Sequence, residues 1–230
     1  MRKPKIESVI FDMDGTIAFR DASDASYISF FRRMGLEDQA RVITSKYDDP
    51  VRNVMSPDNH QRQFEETVAL LRGKRATEPR EIFPSIPYAP GFQEFCRYLR
   101  SHGINTGIVT LSLLYAADLI REENDMQLAY ANEIHILDGI FTGTGTLHVR
   151  FGSKGTMVRK AYESLASVGE RTAYIGDSLN DIDPWSSVAL PLGVNLHHPD
   201  CRQYVVADFA DFREVLDFFK SNVDLQHKLK

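Results

Sequence analysis

From Phe92 onward the chain alternates between short apolar runs and helix-patterned segments, and that alternation restricts it to an α/β fold with a mainly parallel sheet. The pattern predicts a helix from Phe92 to His102 stopped by Gly103, a strand over Ile104–Thr110 and a helix over Leu113–Glu123. A strand near Leu128–Ala131, a hairpin-like stretch over Ile134–Val149, a helix from Ser153 and a strand over Thr172–Ile175 follow. A doubly wound sheet of this kind binds ligands outside the carboxyl ends of its strands. The residues at those ends are therefore the first candidates for function.

Two apolar runs end in acids. Ser8-Val9-Ile10-Phe11 leads into Asp12-Met13-Asp14-Gly15-Thr16, and Ala173-Tyr174-Ile175-Gly176 leads into Asp177, with Asp181 four residues later as a helix begins. Alternate side chains of a strand share a face, so Asp12 and Asp14 can converge on one ligand while Met13 turns to the core. Gly15 lets the chain leave the strand and brings backbone N–H groups close to an anion. Asp-x-Asp-Gly also occurs in calcium loops and ordinary surface turns, so the first segment alone leaves both readings open. Two acidic strand tips together imply a magnesium-type site, with Asp177 as a ligand and Asp181 supporting either the metal or a nearby lysine.

Between the tips lie groups suited to a phosphate. Gly107-Ile108-Val109-Thr110-Leu111-Ser112 ends in hydroxyls before a helix, so Thr110 and the N–H groups of Leu111 and Ser112 are placed for phosphoryl oxygens, or Thr110 or Ser112 serves only as an N-cap. Lys154 opens the next amphipathic helix, next to the positive end of its dipole. That is an unfavourable place for a cation, and it calls for an anionic partner.

Residues 17–83 read differently. Tyr27, Phe30, Phe31 and Met34 recur at helical spacing, as do Phe64, Val68 and Leu71, which predicts two or more amphipathic helices. The expected organisation is a catalytic core of residues 1–16 and 84–230 with a helical cap of residues 17–83 inserted. Pro79, Pro84, Pro87 and Pro90 mark the return to the core as a stiff, hinge-like segment. His197-His198 precedes Pro199 and reads as a surface turn rather than a metal pair.

Composition excludes several alternatives. A net charge of −5 argues against nonspecific nucleic-acid binding. No run approaches the ~18 apolar residues of a transmembrane helix, and the basic start lacks the apolar stretch of a signal peptide. Cys96 and Cys201 suggest no disulfide framework, so a reducing cytoplasm is the simplest compartment.

The ordered set Asp12-Met13-Asp14-Gly15-Thr16, Thr110, Lys154-Gly155 and Gly176-Asp177-x-x-x-Asp181 resembles the haloacid dehalogenase-like superfamily of phosphohydrolases, and within it the phosphoserine phosphatase-like branch. The resemblance spans Pro4 to about Phe219. It implies a Rossmann-like core with an inserted helical cap. Asp12 would be the nucleophile, Asp14 the general acid and base, and Thr110 and Lys154 the holders of the phosphoryl oxygens. Magnesium would sit on Asp12, the Asp14 backbone carbonyl and Asp177, with Asp181 in support. In that branch a cap acid nine residues after the nucleophile meets the substrate amine, and here the spacing lands on Asp21. The cap arginine expected for a substrate carboxylate falls, in an ungapped alignment, on Glu65, with Arg62 one turn earlier.

The resulting expectation is a magnesium-dependent phosphatase acting on a small phosphorylated metabolite other than phosphoserine. The alternatives are a phosphotransferase or mutase of the same fold and a catalytically silent phosphate-binding regulator.

Overall fold

The computed structural model describes residues 3–21, 25–47 and 55–225. The elements up to the middle of the chain are β1 (Lys5–Ile6), β2 (Ser8–Phe11), α1 (Ser26–Arg33), α2 (Glu37–Tyr47), α3 (Pro57–Ala69), α4 (Pro79–Ile82), α5 (Phe92–Ser101), β3 (Asn105–Leu113) and α6 (Leu114–Glu123). They are followed by β4 (Leu128–Leu137), β5 (Ile140–Thr146), α7 (Lys154–Ser164), β6 (Thr172–Gly176), α8 (Ile182–Trp185), β7 (Leu190–Val194), β8 (Ala207–Phe209), α9 (Phe212–Asn222) and β9 (Asp224–Leu225).

The main sheet has the order β5-β4-β3-β2-β6-β7-β8, and a small separate sheet pairs β1 with β9. All neighbours in the main sheet run parallel except β4 and β5, which form an antiparallel hairpin. The chain winds outward from β2 through β3 and β4, then resumes at β6 on the other side of β2. The topological switch thus falls between β2 and β6, where open parallel sheets bind their ligands.

Strand periodicity explains why β2 is central. Val9 and Phe11 join one hydrophobic cluster while Ile10 joins the other, and Ile108/Val109 and Ile175/Tyr174 divide the same way on β3 and β6. A strand buried on both faces needs an unbroken apolar run, and Ser8–Phe11 is buried throughout. Phe11 meets Phe92 of α5 edge to face at 5.5 Å and lies 6.0 Å from Phe212 of α9. The opposite face is covered by α7 with Val158 and Ala161 and by α8 with Trp185. The Trp185 indole donates to the Leu192 carbonyl at 3.0 Å, so this residue is helix packing.

Helices α1, α2 and α3 pack on one another, α1 also on β3 and α3 on β5. Ser56 caps α3 by accepting from the Asn59 N–H at 3.1 Å, with Pro57 at the first helical position. Phe30, Phe31, Phe64, Val68 and Leu71 are buried in the cluster that also holds Phe11 and Phe92. The aromatic stripe is therefore core. Among the described residues, no helix is long and apolar enough to cross a membrane.

Two elements differ from the sequence expectation. The strand expected near Leu128–Ala131 continues to Leu137, so the hairpin grows out of one long strand. Its inner end pairs with β3, and its outer end, beyond the reach of β3, takes β5 as a partner instead. β3 itself runs on to Leu113 with an irregularity between Val109 and Leu113, which moves the start of α6 to Leu114. Thr110, Leu111 and Ser112 accordingly lie in the strand's last residues, not at the helix N-terminus.

Candidate active site

β2 and β6 pair with Phe11 opposite Ile175, and the Asp12 N–H donates to the Ile175 carbonyl at 2.9 Å. Asp12 and Asp177 therefore leave the sheet side by side. Gly15 makes this possible. It has φ +85°, and a Cβ there would come within 2.3 Å of Asp177 Oδ2. Thr16 follows and donates its hydroxyl to Asp177 Oδ1 at 2.9 Å.

Asp12, Asp177 and Asp181 are buried, and each offers a carboxylate oxygen within 4.8 Å of the others. Lys154, only 3% exposed, donates to Asp12 Oδ1 at 2.5 Å and to Asp181 Oδ1 at 2.7 Å. Its awkward place at the start of α7 is thereby offset by two anions. Asp181 is saturated: Oδ1 also accepts from the Tyr174 hydroxyl at 2.7 Å, and Oδ2 accepts from the N–H groups of Asp177 and Ser178 at 3.0 and 3.1 Å. Asp177 has a half-exposed histidine beside it, His197, whose Nε2 is 3.3 Å from Asp177 Oδ2.

The charges do not balance without a further cation. Three carboxylates face one ammonium, which leaves two negative charges in a buried cluster. Burial pushes the Asp12 carboxyl up to about 6, with Asp181 adding to the rise and Lys154 opposing it. Burial, then Asp12 and Asp181, raises Asp177 well above the carboxylate range. Burial alone would lower Lys154, but Asp12 and Asp181 outweigh it and hold the ammonium charged. An all-oxygen donor set with this deficit fits a hard divalent cation.

Asp14 points elsewhere. Its Oδ1 accepts from the Ser26 N–H at 2.9 Å and its Oδ2 from the Ser26 hydroxyl at 2.7 Å, and Ser26 Oγ lies 2.7 Å from Ser112 Oγ. The N-cap position of α1 is Ala25, which has no side-chain acceptor. Asp14, twelve residues before Ser26, supplies that cap from outside the helix. Burial raises the Asp14 carboxyl, while the bonds from Ser26 and Ser112 pull it back.

Two cavities adjoin these groups and share Met55, Phe151 and Asn180. One, of about 260 Å³, includes Asp14, Leu111 and Ser112 in its wall. The other, of about 680 Å³, includes Lys154. Thr110 is buried, and its hydroxyl accepts from the Ser112 N–H at 3.2 Å.

The structure thus brings Asp12, Asp177, Asp181 and Lys154 into one cluster, with Gly15 against Asp177, and places Asp14, Leu111 and Ser112 on the adjoining cavity. Asp21 is exposed and lines neither cavity. Glu65 lies on the exposed face of α3, accepts from the Gln61 amide and also lines neither. The charge reversal expected at the substrate from an ungapped alignment is therefore absent from both cavities, because the helical phase of α3 turns His60, Gln63 and Phe64 inward instead. The histidine pair lies in an exposed turn and its two rings diverge, as the sequence reading has it, but one of them reaches the site. Beyond β7 the chain turns through Asn195 at φ +56°, whose amide donates to the Gly15 carbonyl at 3.0 Å, and this carries His197 back over Asp177. His198 faces Asp200. Ser26 and His60 lay in no motif of the sequence, and Thr16, Tyr174 and His197 lay in quoted segments without a site role attached to them.

Comparison with known proteins gives a consistent picture. The model of the haloacid dehalogenase-like hydrolase family matches residues 9–183. The chain is 26% identical over 189 residues to a phosphoserine phosphatase of Streptomyces coelicolor, covering 81% of this chain but only 43% of that protein. It is 23% identical over 228 residues to a phosphoserine phosphatase of Methanocaldococcus jannaschii, covering 96% of this chain and 100% of that one. Among solved structures, a phospho-aspartyl intermediate analogue of phosphoserine phosphatase superposes with a TM-score of 0.71 at 21% identity, over 93% of this chain and 99% of the other. A probable phosphoserine phosphatase from Vibrio cholerae gives 0.77 at 17% identity, over 99% and 69%.

Proposed function

The chain belongs to the haloacid dehalogenase-like hydrolase family, and from that premise we propose that it is a magnesium-dependent phosphatase that hydrolyses a small-metabolite phosphomonoester through an aspartyl-phosphate. The observation that carries this reading is Asp12, buried at the end of the central strand, held by Lys154 at 2.5 Å and flanked by the acid Asp14. In the first step an Asp12 carboxylate oxygen bonds to phosphorus, the ester P–O bond breaks and Asp14 gives its proton to the departing oxygen. In the second, Asp14 takes a proton from water as that water bonds to phosphorus, and phosphate leaves Asp12. Lys154 fixes Asp12 and faces the phosphoryl oxygens together with Thr110 and the N–H groups of Leu111 and Ser112. Residues 17–83 act as the cap over residues 1–16 and 84–230, and Asp21 serves at the edge of the substrate site.

The Asp12 and Asp177 carboxylates and the Asp14 carbonyl would hold magnesium, and Asp181, its oxygens already committed, would orient Lys154 and the Asp177 backbone. The cation supplies positive charge against the phosphoryl oxygens. The two free cysteines, Cys96 and Cys201, are buried and suit a reducing compartment such as the cytoplasm. Phosphate release from a panel of small phosphoesters, with and without magnesium and with an acceptor alcohol, tests the hydrolase reading against phosphotransfer.

Asp14→Ala is expected to slow alkyl phosphates by about a hundredfold or more and an activated aryl phosphate far less, since a leaving oxygen of high pKa needs a proton in the transition state. Ser26→Ala should reproduce part of that selectivity, roughly five- to tenfold, by removing the hydroxyl bond to Asp14 Oδ2 while the backbone N–H bond to Oδ1 remains. Equal losses on both classes of substrate for Asp14→Ala would remove it as the general acid.

Metal and protons should compete. With the Asp12 carboxyl pushed up to about 6, protonation of this acid favours the metal-free fold, so its own contribution to stability is fullest below about pH 4 and is lost as pH rises through about 6. Magnesium reverses this by neutralising the acids. Its gain in Tm is therefore expected to be several degrees larger near pH 8 than near pH 5, and an equal gain at both would contradict the Asp12/Asp177 site.

A further inference from the structure

The 260 Å³ cavity starts at Asp14, the proposed donor to the leaving oxygen, so what fills it is the leaving group; this step rests on the phosphatase reading. Its walls are Tyr27, His60, Gln63, Phe64 and Phe151, which makes it aromatic on several sides. Among the described residues lining it there is no lysine or arginine, and the one acid, Asp14, carries its proton when the ester is bound. A carboxylate seated there would lose its water and meet no cation, whereas a flat uncharged ring would bury its faces against the aromatic walls.

His60 gives the cavity a directed polar group. It is 5% exposed, and burial, helped by the charge of Arg150, depresses it to about 4, so the ring is neutral. Nδ1 accepts from the Phe151 N–H at 3.4 Å, which places the ring proton on Nε2. The ring stands edge-on to Phe151 at 5.0 Å, and this contact fixes its plane. The Tyr27 hydroxyl is bonded to Thr67, so Tyr27 offers its ring rather than its oxygen. Nε2–H is thus a held donor in a mostly apolar wall, the arrangement by which a pocket sets ligand orientation.

We infer that the leaving group is an uncharged, ring-bearing alcohol, and that His60 is a specificity-determining residue that donates its Nε2–H to an acceptor on that ring. The test compares benzyl phosphate with the three pyridylmethyl phosphates, which differ from it by one ring nitrogen, and with phosphoserine, in the presence of magnesium at about pH 8, where the pyridine is neutral. The wild type should favour the best pyridylmethyl isomer over benzyl phosphate by roughly five- to tenfold in kcat/KM, the worth of one hydrogen bond, and should favour both over phosphoserine. In His60→Phe, which keeps the aromatic wall, the pyridyl-to-benzyl ratio should fall to about one. A wild-type ratio of one, a ratio that survives in His60→Phe, or phosphoserine as the best substrate would each overturn the inference, and the wild-type comparison stands whether or not the variant folds. p-Nitrophenyl phosphate, which has an activated leaving group, reports separately on the wild type. Its hydrolysis without the pyridyl preference sinks this inference alone, whereas no turnover of any compound sinks the phosphatase reading with it.

Discussion

Asp12→Asn should lose turnover by at least about a thousandfold while folding as the wild type does. The amide is nearly isosteric with the carboxylate, so the packing at the end of β2 is kept, and removing one of three crowded acids relieves repulsion in the cluster. What disappears is the nucleophile. Activity on the phosphoester panel and thermal unfolding of the same preparation check the two halves of the prediction. Appreciable hydrolysis by a clean Asp12→Asn sample would remove the covalent mechanism.

Lys154→Met should be the most destabilising change in the site as well as a strong loss of activity. The side chain is 3% exposed and paired with both Asp12 and Asp181, so methionine fills the volume but leaves two buried acids without their cation. Breaking a buried pair from one side costs about 3–5 kcal/mol, which for a chain of this size lowers Tm by about ten degrees. The sign of the pH dependence follows from which state the acids adopt. Protonated carboxyls need no partner, so the loss should be largest near pH 8 and shrink toward about pH 4. A variant with unchanged Tm near pH 8, or with kcat/KM within about tenfold of wild type, would show that Lys154 does not hold this cluster.

The strand tips were legible because each combines two independent local signals. Ser8–Phe11 and Thr172–Ile175 are apolar runs, and each ends in glycine and acid, so both the central strands and the acids at their ends could be read from adjacent residues. Lys154 was legible for an electrostatic reason, since a lysine at a helix start needs an anion, and the structure supplies two. The partners that came from elsewhere in the chain were not. Ser26 holds Asp14 only because α1 docks its uncapped end on the end of β2, a contact that no motif encodes. Tyr174 reads as an ordinary core residue until the fold places Asp181 over its hydroxyl. His60 and Glu65 illustrate the same limit. Both are polar residues on α3, and their fates were decided by the rotation of that helix about its buried Phe64 and Val68, which an ungapped alignment does not resolve. The length of β4 likewise depended on β5 extending the sheet beyond β3.

The central claim is that the phosphoryl group rests on Asp12 during turnover. A single turnover of an activated aryl phosphate with excess enzyme and magnesium, quenched in acid within the turnover time and digested for mass spectrometry, tests it most directly. The account predicts one phosphoryl group on the peptide containing Asp12, appearing with release of the alcohol and disappearing as phosphate is formed. Release of alcohol and phosphate in step with no protein-bound phosphoryl group at any time, or a phosphoryl group on another residue, would contradict it.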